Sequence, residues 1–158
     1  MKTLKSFLVA LLALAALPAY AQEIERSRTI SFNTIADLEL LDFDRFSDGA
    51  AIFIADEGRN GFWKKISTNE TALRTDDATK GVFIPDPDDA SGAQGGFIRE
   101  EFAKNRSLVN VRWFGAKGDF NTGTQTGTLD DNAFTAAKNV GTIVYVPDGN
   151  FRINGYSM

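Results

Sequence analysis

The sequence predicts a mainly β protein that begins with a small α+β module. Short runs of β-branched and aromatic residues recur along the chain, separated by Gly, Pro, Asn and Asp, which is typical of strands joined by turns. Apolar residues at helical spacing occur around residue 35 and again around residue 133. The 158 residues include no Cys and no His, which excludes disulfides, thiol or imidazole catalysis, and metal ligation by those side chains.

The composition is that of an ordinary globular protein with mild acidity. Hydrophobic residues make up 43% of the chain, and 21 acidic residues against 17 basic ones give a net charge of −4. This balance argues against nucleic acid as a partner, because nucleic-acid-binding proteins present basic surfaces. Any catalysis would have to rest on carboxylates, Lys, Arg, Tyr or hydroxyl groups.

The first 21 residues have the layout of a secretory signal peptide. Lys2 and Lys5 precede an apolar run over residues 7–17, and small residues lead to a cleavage site after Ala21. A transmembrane anchor is the alternative, but the run has 11 residues, whereas a helix needs about 20 to cross a bilayer. We therefore predict a secreted or periplasmic protein with no membrane span after signal cleavage.

The mature chain divides into two predicted regions at a charged break near residue 105. Residues 22–105 form a small β-rich N-terminal module, which opens with a loose polar arm over residues 22–31. Ile35, Leu38 and Leu41 predict a short helix that Asn33 or Thr34 caps. We then expect a small antiparallel sheet whose strands cover residues 50–56, 62–67, 81–85 and 96–102, with a hairpin loop at residues 57–61.

Residues 106–158 form the second predicted region. Residues 108–114 alternate as a strand that turns Val109, Val111 and Trp113 to one face. A helix with an Ala-rich face follows, and an acidic capping box of Thr128 and Asp131 opens it; its apolar positions are Leu129, Ala133, Ala136, Ala137 and Val140. Residues 142–146 are almost wholly apolar, so we expect a strand that is buried on both faces.

A family resemblance rests on the motifs of this second region. A strand is followed by a glycine turn, an acidic pair opens a helix, and a second turn follows the next strand; the motif residues are Gly115, Gly118, Asp119, Asp130, Asp131, Pro147 and Gly149. The pattern resembles the opening of the pectate-lyase-like right-handed β-helix superfamily, which includes rhamnogalacturonase/epimerase-like and phage tailspike-like proteins. The module before it is similar to the small β-module of tailspike-like proteins. The resemblance implies that residues 106–158 form the helix cap and first coil of a right-handed parallel β-helix, truncated after that coil.

The resemblance also implies a function. The parent proteins cleave polysaccharides by glycoside hydrolysis or β-elimination, and their catalytic residues lie on later coils. We therefore expect the N-terminal part of an exported protein that acts on or binds polysaccharide, with no catalytic residue, cofactor or metal site of its own and no activity by itself. Calcium and a homotrimer are properties of full-length relatives. The alternative is a non-enzymatic tailspike-like attachment or carbohydrate-binding module.

Three groups of residues are candidates for chemistry. Asp130 and Asp131 could form an acid pair, but neighbouring helix positions point in different directions, so helix capping is our interpretation. The acidic residues of the segment 86–89 could bind calcium weakly, but a solvated turn is our interpretation. Trp63, beside two lysines on a predicted edge hairpin, is the candidate for a carbohydrate contact, with a core position as the alternative.

Overall fold

The computed structural model describes residues 29–154, so the predicted signal peptide and most of the predicted arm lie outside the described residues. The described strands are β1 (Ile30–Phe32), β2 (Ala51–Ile54), β3 (Gly61–Ile66), β4 (Phe83–Pro85), β5 (Gly96–Arg99), β6 (Leu108–Asn110) and β7 (Ile143–Tyr145). The helices are α1 (Ile35–Leu38), α2 (Thr71–Asp76), α3 (Glu100–Lys104) and α4 (Asp131–Val140). Short 3₁₀ turns occupy Phe43–Arg45, Pro87–Asp89 and Val111–Phe114. Within this part of the chain, no helix is long and apolar enough to cross a membrane.

The larger sheet has five strands in the order β1-β2-β3-β5-β4. β2 and β3 form an antiparallel hairpin with Phe53 opposite Phe62, which confirms the predicted strands and the loop between them. β3 then pairs antiparallel with β5, and β5 pairs antiparallel with β4. β1 completes the other edge by pairing parallel to β2, so the sheet is mixed. β3 therefore lies in the middle of the sheet, and its predicted place on an edge hairpin is wrong.

The end of the predicted arm belongs to the sheet. Ile30 and Ser31 lie in β1, opposite Ile52 and Phe53 of β2. A three-residue strand carries little periodic signal in its own sequence. Its pairing with a strand some 20 residues further along the chain decides its conformation, so local patterning could not predict it.

Helix α1 begins where the sequence predicts. The hydroxyl of Thr34 accepts from the N–H of Asp37 at 3.1 Å, and the Asp37 carboxylate accepts from the N–H of Thr34 at 3.0 Å. This reciprocal capping box satisfies two donors that a helix start leaves open. Ile35 and Leu38 are buried as predicted, but Leu41 lies beyond the helix end and is 37% exposed.

Two apolar clusters hold the described residues together. The first, the sheet cluster, packs one face of the larger sheet against the α1 region; its buried members are Ile35, Leu38, Phe43, Ile52, Ile54, Trp63, Ile84 and Phe97. The second, the shared cluster, joins the opposite face to the second region; its buried members are Leu73, Val82, Phe83, Ile98, Phe102, Val109, Val111, Phe114, Ala116, Ala133, Phe134, Ala136 and Ala137. The shared cluster draws residues from both sides of residue 105, and the division of the chain at that point stays a prediction.

The predicted β-helix is wrong for the residues described. Instead of a mainly β chain ending in a first β-helix coil, the architecture is α+β, with a mixed five-stranded sheet and a separate two-stranded sheet. β6 and β7 pair parallel over three residues each, and α4 connects them. The motif that carries the resemblance is a short strand, turn and helix pattern, which a parallel pair with a helical crossover satisfies equally well. A β-helix is decided by the stacking of successive coils, and between residues 29 and 154 no such coils are seen.

Three predicted strands differ from the observed elements. The strand predicted over residues 96–102 ends at Arg99 and continues as α3, and that predicted over residues 108–114 turns into a 3₁₀ helix at Val111. The strand predicted over residues 142–146 forms in part, as β7, but its burial on both faces is wrong: Ile143 is 57% exposed and Tyr145 is 54% exposed. Its apolar composition therefore reflects a surface rather than a core strand.

Helix α4 confirms the predicted Ala-rich face. Ala133, Ala136 and Ala137 are buried, and Phe134 joins them, with its ring edge-on to Phe151 at a centroid distance of 5.7 Å. Leu129 precedes the helix and is half exposed, so it is not part of that face. Small residues on the inner face allow the helix to approach closely, which places α4 against the 3₁₀ turn of residues 111–114.

Candidate functional site

A polar groove of about 460 Å³ lies at one end of the larger sheet. We name it the polar groove, and its lining residues are Asp44, Phe46, Lys65, Ser67, Asp86, Ala93 and Gln94. Lys65 and Ser67 come from the end of β3, and Asp86 follows β4 directly. Three separate segments of the chain therefore meet here, and the sheet fixes their relative positions.

Lys65 is the unusual residue of this groove, because it is a lysine on the buried face of the sheet. In β3 the buried positions alternate with exposed ones, and Lys65 shares the buried side with Trp63. Its ammonium lies 3.7 Å from the Asp86 carboxylate and 5.6 Å from the centre of the Phe43 ring. A lysine is almost never buried without a partner, and here a carboxylate and an aromatic face supply that partnership.

The Asp86 carboxylate is held in place by a backbone hydrogen bond as well as by Lys65. One carboxylate oxygen accepts from the N–H of Asp88 at 3.1 Å, which caps the 3₁₀ turn, and the second faces Lys65. Asp86 is therefore nearly buried, whereas Asp88 is exposed. The predicted alternatives for residues 86–89 were a weak calcium site and a solvated turn, and the structure makes Asp86 an ion-pair partner within the groove.

Asp89 stiffens the loop that forms the far rim of the groove. Its carboxylate accepts from the hydroxyl of Ser91 at 2.6 Å and from the N–H of Gln94 at 2.7 Å. The Ser91 hydrogen bond, followed by that of the Gln94 N–H, lowers the pKa of Asp89 below its ordinary value. The loop carrying Ala93 and Gln94 is thus tied by its own side chains, which keeps the rim in one position.

An aromatic ring completes the groove wall. Phe46 is partly buried and packs edge-on to Phe97 at a centroid distance of 5.2 Å. On the rim, the Ser67 hydroxyl donates to Asp48 at 3.2 Å. The groove therefore offers cationic, anionic, amide and hydroxyl groups beside one apolar face, which suits a small polar ligand.

The residues of the predicted cap and turn motif lie close together, and their carboxylates accept hydrogen bonds from the backbone. Asp130 is 2% exposed; its carboxylate accepts from the N–H of Lys117 at 2.7 Å and from the N–H of Arg152 at 3.2 Å. Asp131 accepts from the N–H of Asn154 at 2.8 Å. The two carboxylates thus bind different backbone N–H groups, and no paired acid arrangement is formed by the hydrogen bonds of the described residues.

The predicted capping box at α4 is wrong. Asp130 is the N-cap residue, but its side chain makes no capping hydrogen bond to the helix. Both the N–H and the hydroxyl of Thr128 bind the Asp119 carboxylate instead, each at 2.8 Å. The Thr128 hydrogen bonds lower the pKa of Asp119. Asp119 therefore closes the exposed loop of residues 120–127.

The two glycine turns lie side by side, and the side chain of Arg112 forms hydrogen bonds with both. Arg112 donates to the carbonyls of Lys117 and Asp148, each at 3.0 Å. Gly118 has φ +63°, and a Cβ there would lie 2.9 Å from the Phe151 ring, so glycine is required by both conformation and space. The turn residues Gly115, Pro147 and Gly149 complete this arrangement, with Gly115 in a left-handed conformation at the end of the 3₁₀ turn.

Trp63 is fully buried, which is the core position given above as the alternative to a carbohydrate contact. The strand alternation places its neighbour Phe62 outside, where it is 46% exposed and packs against Phe53 at 5.1 Å. Trp63 instead stacks on Arg99, whose guanidinium lies 4.6 Å from the Trp63 ring and 4.9 Å from that of Trp113. Burial lowers the pKa of Arg99 to about 10.

Sequence patterning missed the polar groove. A lysine is typical of a surface position, so its residue type does not mark Lys65 as part of a buried site. The available signal was the strand period of two, which puts Lys65 on the same side as Trp63. No group of three or more acidic side chains that could hold a metal ion is found among residues 29–154.

Comparisons with known proteins give one partial likeness. No protein-family model matches the chain, and no solved structure matches it. The chain is similar to Depolymerase 1, capsule K3-specific, of Klebsiella phage KP32, with 42% identity over 78 residues. The match covers 42% of this chain and 9% of that protein, so the chain spans only a small part of the relative's length. The coarse part of the expectation, a partial likeness to a phage protein directed at polysaccharide, is thus confirmed.

Proposed function

We propose that this chain is a tailspike-like, polysaccharide-directed module that binds glycan and does not cleave it. The observation that carries the proposal is the partial likeness to a capsule-specific phage depolymerase. The polar groove supports it, because sugars are recognised by hydrogen-bonding side chains placed beside an aromatic ring. The mild acidity of the chain, with its net charge of −4, agrees with a partner other than nucleic acid.

The absence of turnover in this proposal follows from what the candidate carboxylates do. Asp130 and Asp131 each hold a backbone N–H, and Asp130 is buried. A glycoside hydrolase needs two carboxyl groups that flank a bond open to substrate, one to donate a proton and one to act as base or nucleophile. A carboxylate that is committed to backbone donors in the core does not meet that requirement.

The test is a paired binding and cleavage assay on the mature chain. Klebsiella K3 capsular polysaccharide is immobilised for binding, and the same polymer in solution is followed by viscosity and by release of reducing ends. We expect binding without any fall in viscosity. Turnover that Asp131→Asn abolishes, or no binding to this or any polymer of a capsular panel, would contradict the proposal.

We also propose that residues 1–21 direct export, so that the mature protein is secreted or periplasmic. The supporting feature is the positive, apolar and small-residue order of this segment. The intact mass of the exported protein is expected to lack residues 1–21, and Ala21→Lys should leave the precursor uncut. An exported protein of full precursor mass would argue against a cleaved signal.

A second candidate function is attachment to a partner protein, and the observation that favours it is the exposed apolar strand β7. Ile143 and Tyr145 are each more than half exposed, and Val146 beside them is 46% exposed. Exposed apolar strands pair readily with other chains. Analytical ultracentrifugation distinguishes the candidates: glycan binding by a monomer supports the first, and a stable trimer without glycan binding supports the second.

A further inference from the structure

We infer that the polar groove binds a neutral sugar unit, and that it discriminates against acidic sugars. The inference rests on the proposed function, since it specifies the ligand class of a polysaccharide-directed module. The volume of about 460 Å³ lies within the range of about 300–1,000 Å³ that is usual for small-molecule pockets.

The charge balance of the groove argues for a neutral ligand. Asp44 and Asp86 face it with one cation, Lys65. The Lys65 ammonium is already paired with the Asp86 carboxylate at 3.7 Å. A uronate or sulfate entering the groove would meet a net negative lining, and like charges in a partly desolvated site repel more strongly than in water.

The side chains match the hydrogen-bonding pattern of sugar hydroxyls. A hydroxyl group both donates and accepts. Carboxylates of Asp44 and Asp86 accept from it, while the Lys65 ammonium donates to it, and the Gln94 amide can do either. Charge-assisted hydrogen bonds of this kind are about twice as strong as neutral ones.

Phe46 supplies the apolar contact. Sugar rings carry one face of C–H groups, and an aromatic ring packs well against such a face. Phe46 lines the groove and is braced against Phe97, so its ring keeps one orientation. Charged groups and an apolar ring that line the same groove can together orient a ring-shaped polar ligand.

The groove is also built before any ligand arrives. Lys65 and Asp86 are both at least nine-tenths buried, and the far rim is tied by the Asp89 hydrogen bonds. A preformed site binds more tightly because less side-chain and loop entropy is lost on binding. This distinguishes the groove from the other exposed polar loops of the chain, such as residues 121–127, which expose every side chain.

The experiment measures binding of neutral and acidic trisaccharides to the mature chain by NMR titration. The probes are maltotriose, mannotriose and galactotriose, with trigalacturonate as the acidic counterpart. We expect chemical-shift changes on groove residues with at least one neutral trisaccharide and none with trigalacturonate. Gln94→Ala and Ser67→Ala, both at exposed rim positions, should each weaken binding by about tenfold, as expected for one lost hydrogen bond.

Matched variants keep the test decisive. Lys65→Met should abolish binding, whereas Lys64→Met, on the opposite face of the same strand, should leave it unchanged. If Lys65→Met does not fold, the two rim variants decide. Preference for trigalacturonate, or polysaccharide binding that no groove variant alters, would overturn the inference and leave the proposed function standing. Absence of binding to every polysaccharide and trisaccharide would overturn both.

Discussion

The first region, residues 30–104, and the second region, residues 106–154, are held together by different means. The first contains the sheet cluster, which is built from its own strands and α1. The apolar residues of the second region pack into the shared cluster, five of whose 13 buried members belong to β4, β5 and neighbouring segments of the first region. The second region thus relies on docking, supplemented by carboxylate ties such as that of Asp130.

The difference between the regions shows that two similar buried carboxylates can stabilise parts of the fold that differ in size. Asp77 in the first region is fully buried and accepts from the N–H groups of Gly81, Val82 and Phe83 at 2.7–2.9 Å. Asp130 in the second region is also buried and accepts from two N–H groups. Asp77 lies where the chain enters β4, an edge strand, and holds the backbone of Val82 and Phe83, which are buried in the shared cluster, whereas Asp130 joins surface turns to α4. Loss of the first should be felt throughout, and loss of the second should stay local.

The largest effect is expected at Arg99, which joins the two regions. Its guanidinium lies between Trp63 and Trp113 and donates to the carbonyls of Arg59, Asn60 and Gly81. Arg99→Met leaves three carbonyls without their donor, so we expect a loss of about 3–5 kcal/mol in the free energy of unfolding. Urea unfolding measures it, with the exposed Arg45→Met as control. Equal stability of both variants would show that the regions are joined by apolar packing alone.

The next effect separates the two buried carboxylates. Asp77→Asn should cost about 2–4 kcal/mol and Asp130→Asn about 1–3 kcal/mol, because an amide accepts through one oxygen only and sets its NH₂ group against a backbone donor. Hydrogen exchange should accelerate across the whole sheet for Asp77→Asn and only in residues 106–154 for Asp130→Asn. The exposed Asp76→Asn serves as control. Uniform acceleration in both variants would mean that the regions unfold as one unit.

Substitutions in β7 are expected to have a smaller effect on the free energy of unfolding and a measurable effect on self-association. Ile143→Thr and Tyr145→Thr replace exposed apolar side chains, so unfolding free energies should change by no more than about 0.5 kcal/mol. Sedimentation velocity should show less self-association, because β-branched polar residues keep the strand while removing its apolar surface. Ile52→Thr, at a fully buried position of β2, is the destabilising counterpart. Unchanged self-association would show that β7 is not the surface through which the chain associates.

The smallest effect concerns two aspartates that accept hydrogen bonds from loop residues, one in each region. Hydrogen bonds from Ser91 lower the pKa of Asp89, and those from Thr128 lower the pKa of Asp119. A depressed folded-state pKa stabilises the fold above the ordinary aspartate value and ceases to do so as the pH falls through the folded value, so both contributions disappear below about pH 4.

NMR titration of the two carboxyl carbons checks this. Both midpoints should lie below the ordinary value. Ser91→Ala should return that of Asp89 toward it, and Thr128→Val should do the same for Asp119. Each variant serves as the control for the other site. A midpoint at the ordinary value in the unmodified chain would mean that the corresponding loop is open in solution.

Local patterning predicted the elements whose signal lies within a few residues. The Thr34 cap, the hairpin of β2 and β3 and the Ala-rich face of α4 were all evident from residue type and spacing. The sheet edge at β1 and the short helix α2 were missed, because pairing and packing with distant segments stabilise them. For the candidate site, patterning suggested Trp63, whereas the structure places Phe62 at the surface and Lys65 in the groove.

The sequence by itself determined the Thr34 cap, the β2–β3 hairpin and which chemistries are absent, because these depend on side-chain type and on near neighbours. Only the tertiary structure decided which apolar runs are covered. Residues 142–146 carry the composition of a core strand, yet in β7 only Val144 packs against the shared cluster, while Ile143 and Tyr145 are more than half exposed. Lysine is a residue type usual at the surface, yet Lys65 is buried. This is because β3 pairs with a strand on each side, and the Asp86 carboxylate of another segment pairs with the Lys65 ammonium. Burial and strand pairing depend on contacts between residues that are far apart in the chain, so the local spacing of apolar residues does not predict them.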